Sequence, residues 1–168
     1  MTKLFTLFLV FSQFAFGQNN HSYNISTETA KIKAYVDSIN TDTTLIRMQI
    51  AKSNKKTQGD TVVYKKNGAV QKIVLIPTVS LFNGAQFTEE YYFRDEKLVH
   101  VFRHGFNATR MDACGSIDIK TSLFFYEAAL IAMEIQKEPA FGNCYPMNLD
   151  ENKIWEKATA LLRYAKIN

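Results

Sequence analysis

A short pattern that occurs three times in the chain constrains its fold more than any other feature. Each copy has an aromatic residue, a polar or acidic residue three positions later, and an aliphatic residue three positions after that. The copies run from Tyr64 to Val70, from Tyr92 to Leu98 and from Phe124 to Leu130. Segments rich in aromatic and β-branched residues around a turn signal are typical of β-hairpins. We therefore predict three related hairpins in one antiparallel sheet.

The turn of each hairpin decides which side chains share a face. Asn67-Gly68 is typical of a two-residue type I′ turn, but such a turn would place Tyr64 and Val70 on opposite faces. A three-residue loop with a bulge places these two residues opposite each other, and we predict this loop, with its glycine in the left-handed conformation. Glu96 and Ala128 then hold the same left-handed position, at a cost of about 1 kcal/mol each.

Segments on either side of the hairpins have the periodicity of helices. Ser26 or Thr27 is placed to cap a helix whose apolar residues recur every three or four positions. Those residues are Ile32, Tyr35, Val36 and Ile39. Near the other end, Asn148 and Glu151 resemble a capping box ahead of an apolar stripe from Ile154 to Ala165. We predict one helix before the hairpins and one after them.

Residues 127–137 can be interpreted in two ways. They contain Ala, Leu, Met and Glu, which favour helices, but the strand-like segment 122–126 and the repeat favour a strand, which we predict. The chain of 168 residues is 46% hydrophobic and 21% charged, as is typical of one globular domain. The fold class that follows is α+β, with an N-terminal helix, an antiparallel meander of about six or seven strands and a C-terminal helix packed on the sheet.

Both faces of the predicted sheet are apolar. The core face collects Val63, Ile73, Leu75, Phe87, Tyr91, Phe93, Val99, Val101, Leu123, Phe125, Ile131, Met133 and Ile135. The second face carries Val62, Tyr64, Val70, Val74, Ile76, Tyr92, Leu98, Phe102, Phe124, Tyr126 and Leu130. Two helices of ordinary length cover one face of such a sheet. We therefore expect the second face to be curled on itself, covered by loops such as 103–120 and 136–149, or open to a partner.

Residues 1–17 have the features of a cleaved secretory signal peptide. Lys3 precedes a short apolar run that ends in Ala15-Phe16-Gly17, and a membrane span would need about 20 apolar residues. We expect this segment to be removed and residues 18–168 to fold as one domain with no transmembrane span. The expected location is periplasmic or extracellular.

Cys114 and Cys144 both lie in the part of the chain that we expect to be exported. An oxidising compartment favours a disulfide between them. The bridge would close a loop of about thirty residues and contribute roughly 3–4 kcal/mol. Two unpaired buried thiols are the alternative, and neither cysteine has the sequence context of a catalytic nucleophile.

Polar candidates for a functional site are few. The predicted register places His100 opposite Glu90, and we predict a cross-strand ion pair that raises the pKa of His100. Four residues flank a glycine-containing segment after the second hairpin and are candidates for anion binding or acid-base chemistry: Arg103, His104, Arg110 and Asp112. A solvated loop is the interpretation that we favour for these four residues.

The sequence predicts neither a metal nor a cofactor. His100 and His104 have the spacing of zinc ligands on a helix, but on a strand the two rings lie about 13 Å apart, too far for one ion. The chain contains no phosphate-binding glycine motif, HExxH or GxSxG, which are the motifs that we would expect of the common catalytic classes. The net charge of +4 is scattered along the chain, so we expect no nucleic-acid partner.

The segment from Tyr91 to Leu98 resembles small exported bacterial proteins of unknown function. These proteins repeat a tyrosine-rich strand, an Asn/Asp-Gly-Lys turn and a return strand that begins with Leu. The resemblance extends over residues 60–165, and the chain departs from it at Glu96 and Ala128, where glycine is usual. It implies a hairpin fold and assigns no functional residue.

The second face of the sheet is the candidate binding surface. The residues that we place at this site are Tyr64, Tyr92, Leu98, Phe102, Phe124 and Tyr126. We hypothesise a non-enzymatic binding protein whose partner is another protein, a second copy of the chain, a glycan or an apolar ligand. One alternative is an inhibitor of a secreted hydrolase that acts through the loop 103–116. A second alternative is a small hydrolase-like enzyme.

Overall fold

Five segments of the chain, residues 24–51, 59–77, 85–108, 116–138 and 150–167, are described by the computed structural model. Within these residues lie two helices, α1 (Ile25–Thr41) and α2 (Glu151–Ile167). Seven strands lie between the helices: β1 (Ile46–Ala51), β2 (Gly59–Lys66), β3 (Ala69–Pro77), β4 (Ala85–Arg94), β5 (Lys97–Ala108), β6 (Ser116–Tyr126) and β7 (Ala129–Glu138).

The seven strands form one antiparallel sheet, and strands that are consecutive in the chain are neighbours in space. The predicted α+β fold is confirmed, with its helix near the N-terminus, its meander and its C-terminal helix. The strand interpretation of residues 127–137 is also confirmed, because Ala129–Glu138 pairs with β6 as the last strand of the sheet.

Each of the three hairpins turns through two residues rather than three. The closing pairs are Lys66 with Ala69, Arg94 with Lys97, and Tyr126 with Ala129. Between them, both central residues have positive φ, as in Asn67-Gly68, Asp95-Glu96 and Glu127-Ala128. Positive φ at both positions is the mark of a type I′ turn, whose twist matches that of the flanking strands. The prediction of a three-residue loop is therefore wrong, although Gly68, Glu96 and Ala128 do have left-handed conformations.

A β-bulge follows each turn. In the first hairpin, Lys65 pairs with Val70 but Tyr64 pairs with Lys72, so Gln71 is the extra residue. The corresponding residues of the other hairpins are Val99 and Ile131. A bulge places two residues of one strand opposite one residue of its partner. Beyond the bulge, residues of the two strands whose numbers are both even or both odd lie on the same face, as we predicted. Between the turn and the bulge, such residues lie on opposite faces.

The bulges separate side chains that we expected on one face. Tyr92 packs in the cluster on the α1 side of the sheet, whereas Leu98 packs in the cluster on the α2 side. Val70 and Leu130 also pack on the α2 side, and Val99 and Ile131 pack on the α1 side. The prediction that Tyr92 and Leu98 share a face is wrong, because it assumed a constant register from the turn onward.

The two helices lie on opposite faces of the sheet. Ile32 and Ile39 of α1 pack against Tyr92 and Phe124. Three buried residues of α2, namely Ala158, Leu162 and Ala165, pack on the face that holds Val63, Ile73, Tyr91, Phe93, Val101, Leu123 and Phe125. The expectation that both helices cover one face is wrong. Each apolar face of the sheet has a helix of its own, which covers the central cluster of that face.

Two residues of the predicted core lie at an exposed edge of the sheet. Met133 and Ile135 of β7 are exposed, although the alternation of residues placed them in the core. Their side chains do lie on the α2 face, opposite Leu123 and Thr121 of β6. However, α2 packs mainly on β3 and β5, so this edge of the face lies beyond the cover of the helix.

Side chains cap both helices at their first turns. Asn24, rather than Ser26 or Thr27, caps α1, because its side chain accepts a hydrogen bond from the backbone N–H of Thr27. Asp150 accepts a hydrogen bond from the backbone N–H of Lys153 at the start of α2. Such caps satisfy backbone donors that have no partner within the helix.

Some of the predictions lie outside the described residues. These are the signal peptide at residues 1–17, the disulfide between Cys114 and Cys144, and the capping role of Asn148. Neither α1 nor α2 is long and apolar enough to span a membrane, and the described part of the chain has no other helix.

The turns allow a test of the left-handed conformations. Ala128 has a φ of 69°, and we expect Ala128→Gly to raise the free energy of unfolding by about 0.5–1 kcal/mol, after the greater entropy of unfolded glycine is subtracted. Gly68→Ala is the matched reverse change, because a Cβ there would meet no atom within 4 Å. It should lower the free energy by a similar amount. Urea unfolding measures both, and a shift of the same sign in both variants would contradict the turn assignment.

Candidate functional site

A cleft of about 540 Å³ opens between α1 and the sheet. Its helical wall consists of Lys33, Val36, Asp37 and Asn40 of α1. Its other wall is the α1 face of strands β3 to β7. We call this space the α1 cleft. Its volume is within the range of about 300–1,000 Å³ that is typical of small-molecule sites.

A row of three rings lies at the back of the α1 cleft. Tyr92, His100 and Phe124 are opposite one another on β4, β5 and β6. The ring centroids of Tyr92 and His100 are 5.4 Å apart, and those of His100 and Phe124 are 4.9 Å apart. All three side chains are at least 95% buried, with exposures of 1%, 5% and 1%. The row is therefore part of the close-packed core behind the cleft.

A second row forms the floor of the cleft. Glu90, Phe102, Ser122 and Glu134 face one another across β4, β5, β6 and β7. Three strand spacings separate the two glutamates, which corresponds to about 14 Å. The floor thus has a carboxylate at each end and an aromatic ring and a hydroxyl between them.

Each of the two carboxylates is paired with a lysine. Glu90 lies 2.8 Å from Lys72 and Glu134 lies 2.7 Å from Lys33. The Tyr92 hydroxyl donates to Glu90 at 2.5 Å and is 2.9 Å from Oδ1 of Asn40. Because these charges are paired, the cleft presents hydrogen-bond donors and acceptors side by side.

The aromatic rings of the cleft also contact the lysines. The Lys72 ammonium lies 4.9 Å from the centroid of Tyr92 and 5.7 Å from that of Tyr64. The Lys33 ammonium lies 5.5 Å from the centroid of Phe124. Cation–π contacts of this kind hold the lysine side chains against the rings.

His100 does not form the ion pair that we predicted. The bulge places it opposite Tyr92, and Glu90 is opposite Phe102 instead. Burial lowers the pKa of His100 to about 4, although the carboxylates of Glu90 and Glu134 act in the other direction. The prediction of a raised pKa is therefore wrong, because desolvation outweighs the attraction of the carboxylates.

The pKa values of Tyr92 and His100 are both shifted away from neutral pH. Burial raises the pKa of the Tyr92 phenol, and the hydrogen bond to Glu90 acts in the same direction. His100 is neutral, and its Nδ1 has no hydrogen-bond partner within the described residues. A histidine that activates a nucleophile is usually held by an orienting group.

The structure separates the remaining sequence candidates. Tyr64 contacts Lys72 but lies outside the lining of the α1 cleft, and Tyr126 lies at the end of its hairpin, in the pair that closes the turn. Leu98 belongs to the other face. His104 is exposed and stacks on Phe102 at a centroid distance of 6.3 Å. Arg110 and Asp112, like the other residues from 109 to 115, lie outside the described residues.

Arg103 belongs to a charged cluster on the α2 face, which we call the Glu89 cluster. Its Nε lies 2.9 Å from Glu89 Oε1. Lys157 of α2 and the hydroxyl of Tyr91 donate to Glu89 Oε2 at 2.5 and 2.6 Å. Burial raises the pKa of Glu89, but Lys157, Tyr91 and Arg103 together outweigh it and lower the value. The cluster links α2 to the sheet at a side chain that is only 8% exposed.

Sequence reasoning missed the contribution of α1 to the site. Lys33, Asp37 and Asn40 are four and three positions apart, so they share one side of the helix next to the apolar stripe. That spacing is visible in the sequence, but its meaning depends on which face of the sheet α1 covers. Lys72 and Glu134 are polar residues on a face that the sequence marks by its apolar residues, so the apolar pattern does not identify them.

Comparison with known proteins identifies no family model, no curated protein and no solved structure that matches this chain. Within the described residues, no group of His, Cys, Asp and Glu is arranged to hold a metal ion. The interpretation of the α1 cleft therefore depends on its own geometry.

Proposed function

We propose that this chain is an exported, non-enzymatic binding protein that takes a small ligand into the α1 cleft. The observation that carries the proposal is a cleft of about 540 Å³ in which aromatic rings and paired charges meet. Small-molecule sites typically combine apolar walls with a few polar groups that fix the orientation of the ligand. Five of the residues proposed from sequence contribute to it: Glu90, Tyr92, His100, Phe102 and Phe124.

A small ligand is favoured over a protein partner or a second copy of the chain. The rings of Tyr92 and Phe124 are 1% exposed beneath α1. A flat protein surface would have little access to the cleft floor between α1 and the sheet, whereas a small molecule can reach the partly exposed Phe102, Ser122 and Val36 beside the helix. Protein interfaces gain most from large aromatic side chains that a partner can reach.

Binding is favoured over catalysis by the state of the ionisable groups. His100 is neutral because of its lowered pKa, and Tyr92 holds its proton because of its raised pKa. The inhibitor hypothesis depends on a loop at residues 103–116, but residues 103–108 belong to β5 rather than to a loop, and residues 109–115 are outside the described residues. No contact among the described residues favours it over the cleft.

Filling the cleft tests the proposed function. We expect a mixed library of sugars, amines, carboxylates and apolar compounds to contain ligands that shift the NMR signals of Phe102, Ser122 and Val36. Ser122→Trp should abolish those shifts, because the indole would occupy the floor. Thr88→Trp is the matched control, since Thr88 is on the same face but is absent from the lining of the cleft. Equal binding by both variants, or no ligand for the wild type, would contradict the proposal.

Export has a separate test. Expression of the full chain in a secreting bacterium should yield a protein that begins at Gln18, because residues 1–17 have the features of a signal peptide. Intact mass measures the cleavage site and also shows whether Cys114 and Cys144 are joined. A chain that stays in the cytoplasm with its first residues intact would contradict export and leave the cleft proposal to its own test.

A further inference from the structure

His100 lines the α1 cleft and carries a buried polar atom that has no partner within the described residues. Its side chain is 5% exposed, and the atom is Nδ1 of the imidazole. Most buried polar side-chain atoms in proteins have a partner. A neutral imidazole nitrogen in this position can bond to a polar ligand group that enters the cleft.

A lysine–glutamate pair lies at each end of the cleft floor. Lys72 and Glu90 form one pair, and Lys33 and Glu134 form the other, about 14 Å away across three strand spacings. Each pair offers an acceptor and a donor less than 3 Å apart. A hydroxyl group both donates and accepts, so neighbouring hydroxyls on one ring match such a pair. The two pairs fit an elongated ligand with hydroxyls at both ends.

The middle of the floor requires a ligand with an apolar face. Phe102 lies between the two pairs, and Phe124 and Val36 border the same space. An apolar ligand would leave the polar groups of the cleft without partners, which is unfavourable. A ligand of high charge would have to compete with ion pairs that already exist. A neutral ring with polar edges and apolar C–H faces meets both conditions.

We propose that the α1 cleft binds a neutral saccharide of two joined rings, with one hydroxyl bonded to His100 Nδ1 and the others to the two lysine–glutamate pairs. This inference rests on the proposed function and specifies its ligand. A single ring is too short to reach both pairs, whereas two joined rings can span the floor. The apolar faces of the rings lie against Phe102 and Val36, which are the partly exposed apolar residues of the lining.

Calorimetric titration with neutral sugars tests the ligand class. The probes are cellobiose, maltose, lactose and trehalose, together with glucose and galactose. We expect at least one disaccharide to bind, and to bind more tightly than its component monosaccharides. His100→Phe should weaken that disaccharide roughly tenfold, the effect of one lost hydrogen bond. His104→Phe is the matched control, because it keeps a ring beside Phe102 and lies outside the lining of the cleft, and it should leave the affinity unchanged.

A second variant tests the inference without changing a buried residue. Glu134→Gln changes an exposed side chain, so folding should be unaffected, and it should weaken the disaccharide about three- to tenfold while the monosaccharides change less. If none of these sugars binds but other library compounds occupy the cleft and are blocked by Ser122→Trp, the saccharide inference is overturned and the proposed function stands. If no compound of any class binds, both are overturned. Disaccharide binding that is unaffected by His100→Phe and by Glu134→Gln would also overturn the inference.

Discussion

Replacing Glu89 with glutamine should lower the free energy of unfolding by about 2 kcal/mol, because the change removes the buried carboxylate that pairs with the partly buried Arg103 and the half-exposed Lys157. Glu89 is 8% exposed and is the common partner of Arg103, Lys157 and Tyr91. Removing one member of a buried charge group is much more costly than the net stabilisation by the whole group. Urea denaturation at pH 7 measures the effect.

Glu134→Gln is the matched control for Glu89→Gln. Its carboxylate lies 2.7 Å from Lys33, a distance close to those in the Glu89 cluster, but its side chain is 54% exposed. Exposed pairs contribute about 0–1 kcal/mol, so we expect a small change. If both glutamine variants lose the same stability, burial does not distinguish the two sites and the role of the Glu89 cluster in holding α2 to the sheet is refuted.

The pKa of Glu89 also gives the direction of a pH effect. It is lower in the folded state than in the unfolded chain, since its cationic partners outweigh burial. The stability that it contributes is therefore present above the unfolded pKa of about 4.3 and is lost as pH falls further. Glu89→Gln should remove this part of the acid sensitivity.

The second large effect is a loss of stability in mild acid that depends on His100. In the unfolded chain this residue takes up a proton near pH 6.5, whereas in the folded protein burial lowers its pKa to about 4. Between these values the unfolded state binds more protons, so the free energy of unfolding falls as pH falls. The loss is roughly 2 kcal/mol at pH 5 and approaches about 3 kcal/mol near pH 4.

Urea denaturation from pH 8 to pH 5 measures this effect. The wild type should lose about 2 kcal/mol more than His100→Phe over this range. The groups around His100 are Glu90, Glu134, Lys33 and Lys72, and all of them are kept in that variant. His104→Phe is the matched control, a histidine-to-phenylalanine change at an exposed position of the same strand. Parallel pH profiles for the wild type and His100→Phe would show that His100 is not buried as a neutral ring.

The sequence predicts the helices and strands of the fold better than the geometry of its turns. Three repeats identified the hairpins, and the apolar stripes identified both helices. The Asn67-Gly68 signal for a two-residue turn was correct, and the parity argument against it was not. A two-residue turn followed by a bulge agrees both with the Asn67-Gly68 signal and with the shared face of alternate residues farther along the strands. The sequence does not show the bulge, because Gln71, Val99 and Ile131 share no residue type that marks one.

The site could be predicted only in part for the same physical reason. The face on which Tyr92, Phe102 and Phe124 lie depends on the alternation of side chains along single strands, so these three residues could be predicted. The helical wall depends on which face α1 covers, and no local pattern states that. A sheet that is apolar on both faces needs a covering element on each face, and one helix on each side meets this requirement.

The most direct test of this account is a NOESY experiment on the folded protein that locates Tyr92 and Leu98. The structure predicts contacts from the Tyr92 ring to Asn40 and its neighbours in α1, and from the Leu98 methyl groups to the cluster that contains α2. Such a result requires the two-residue turn and its bulge, and it places the row of rings in the α1 cleft. Contacts from both residues to the same helix would contradict the account and remove the site.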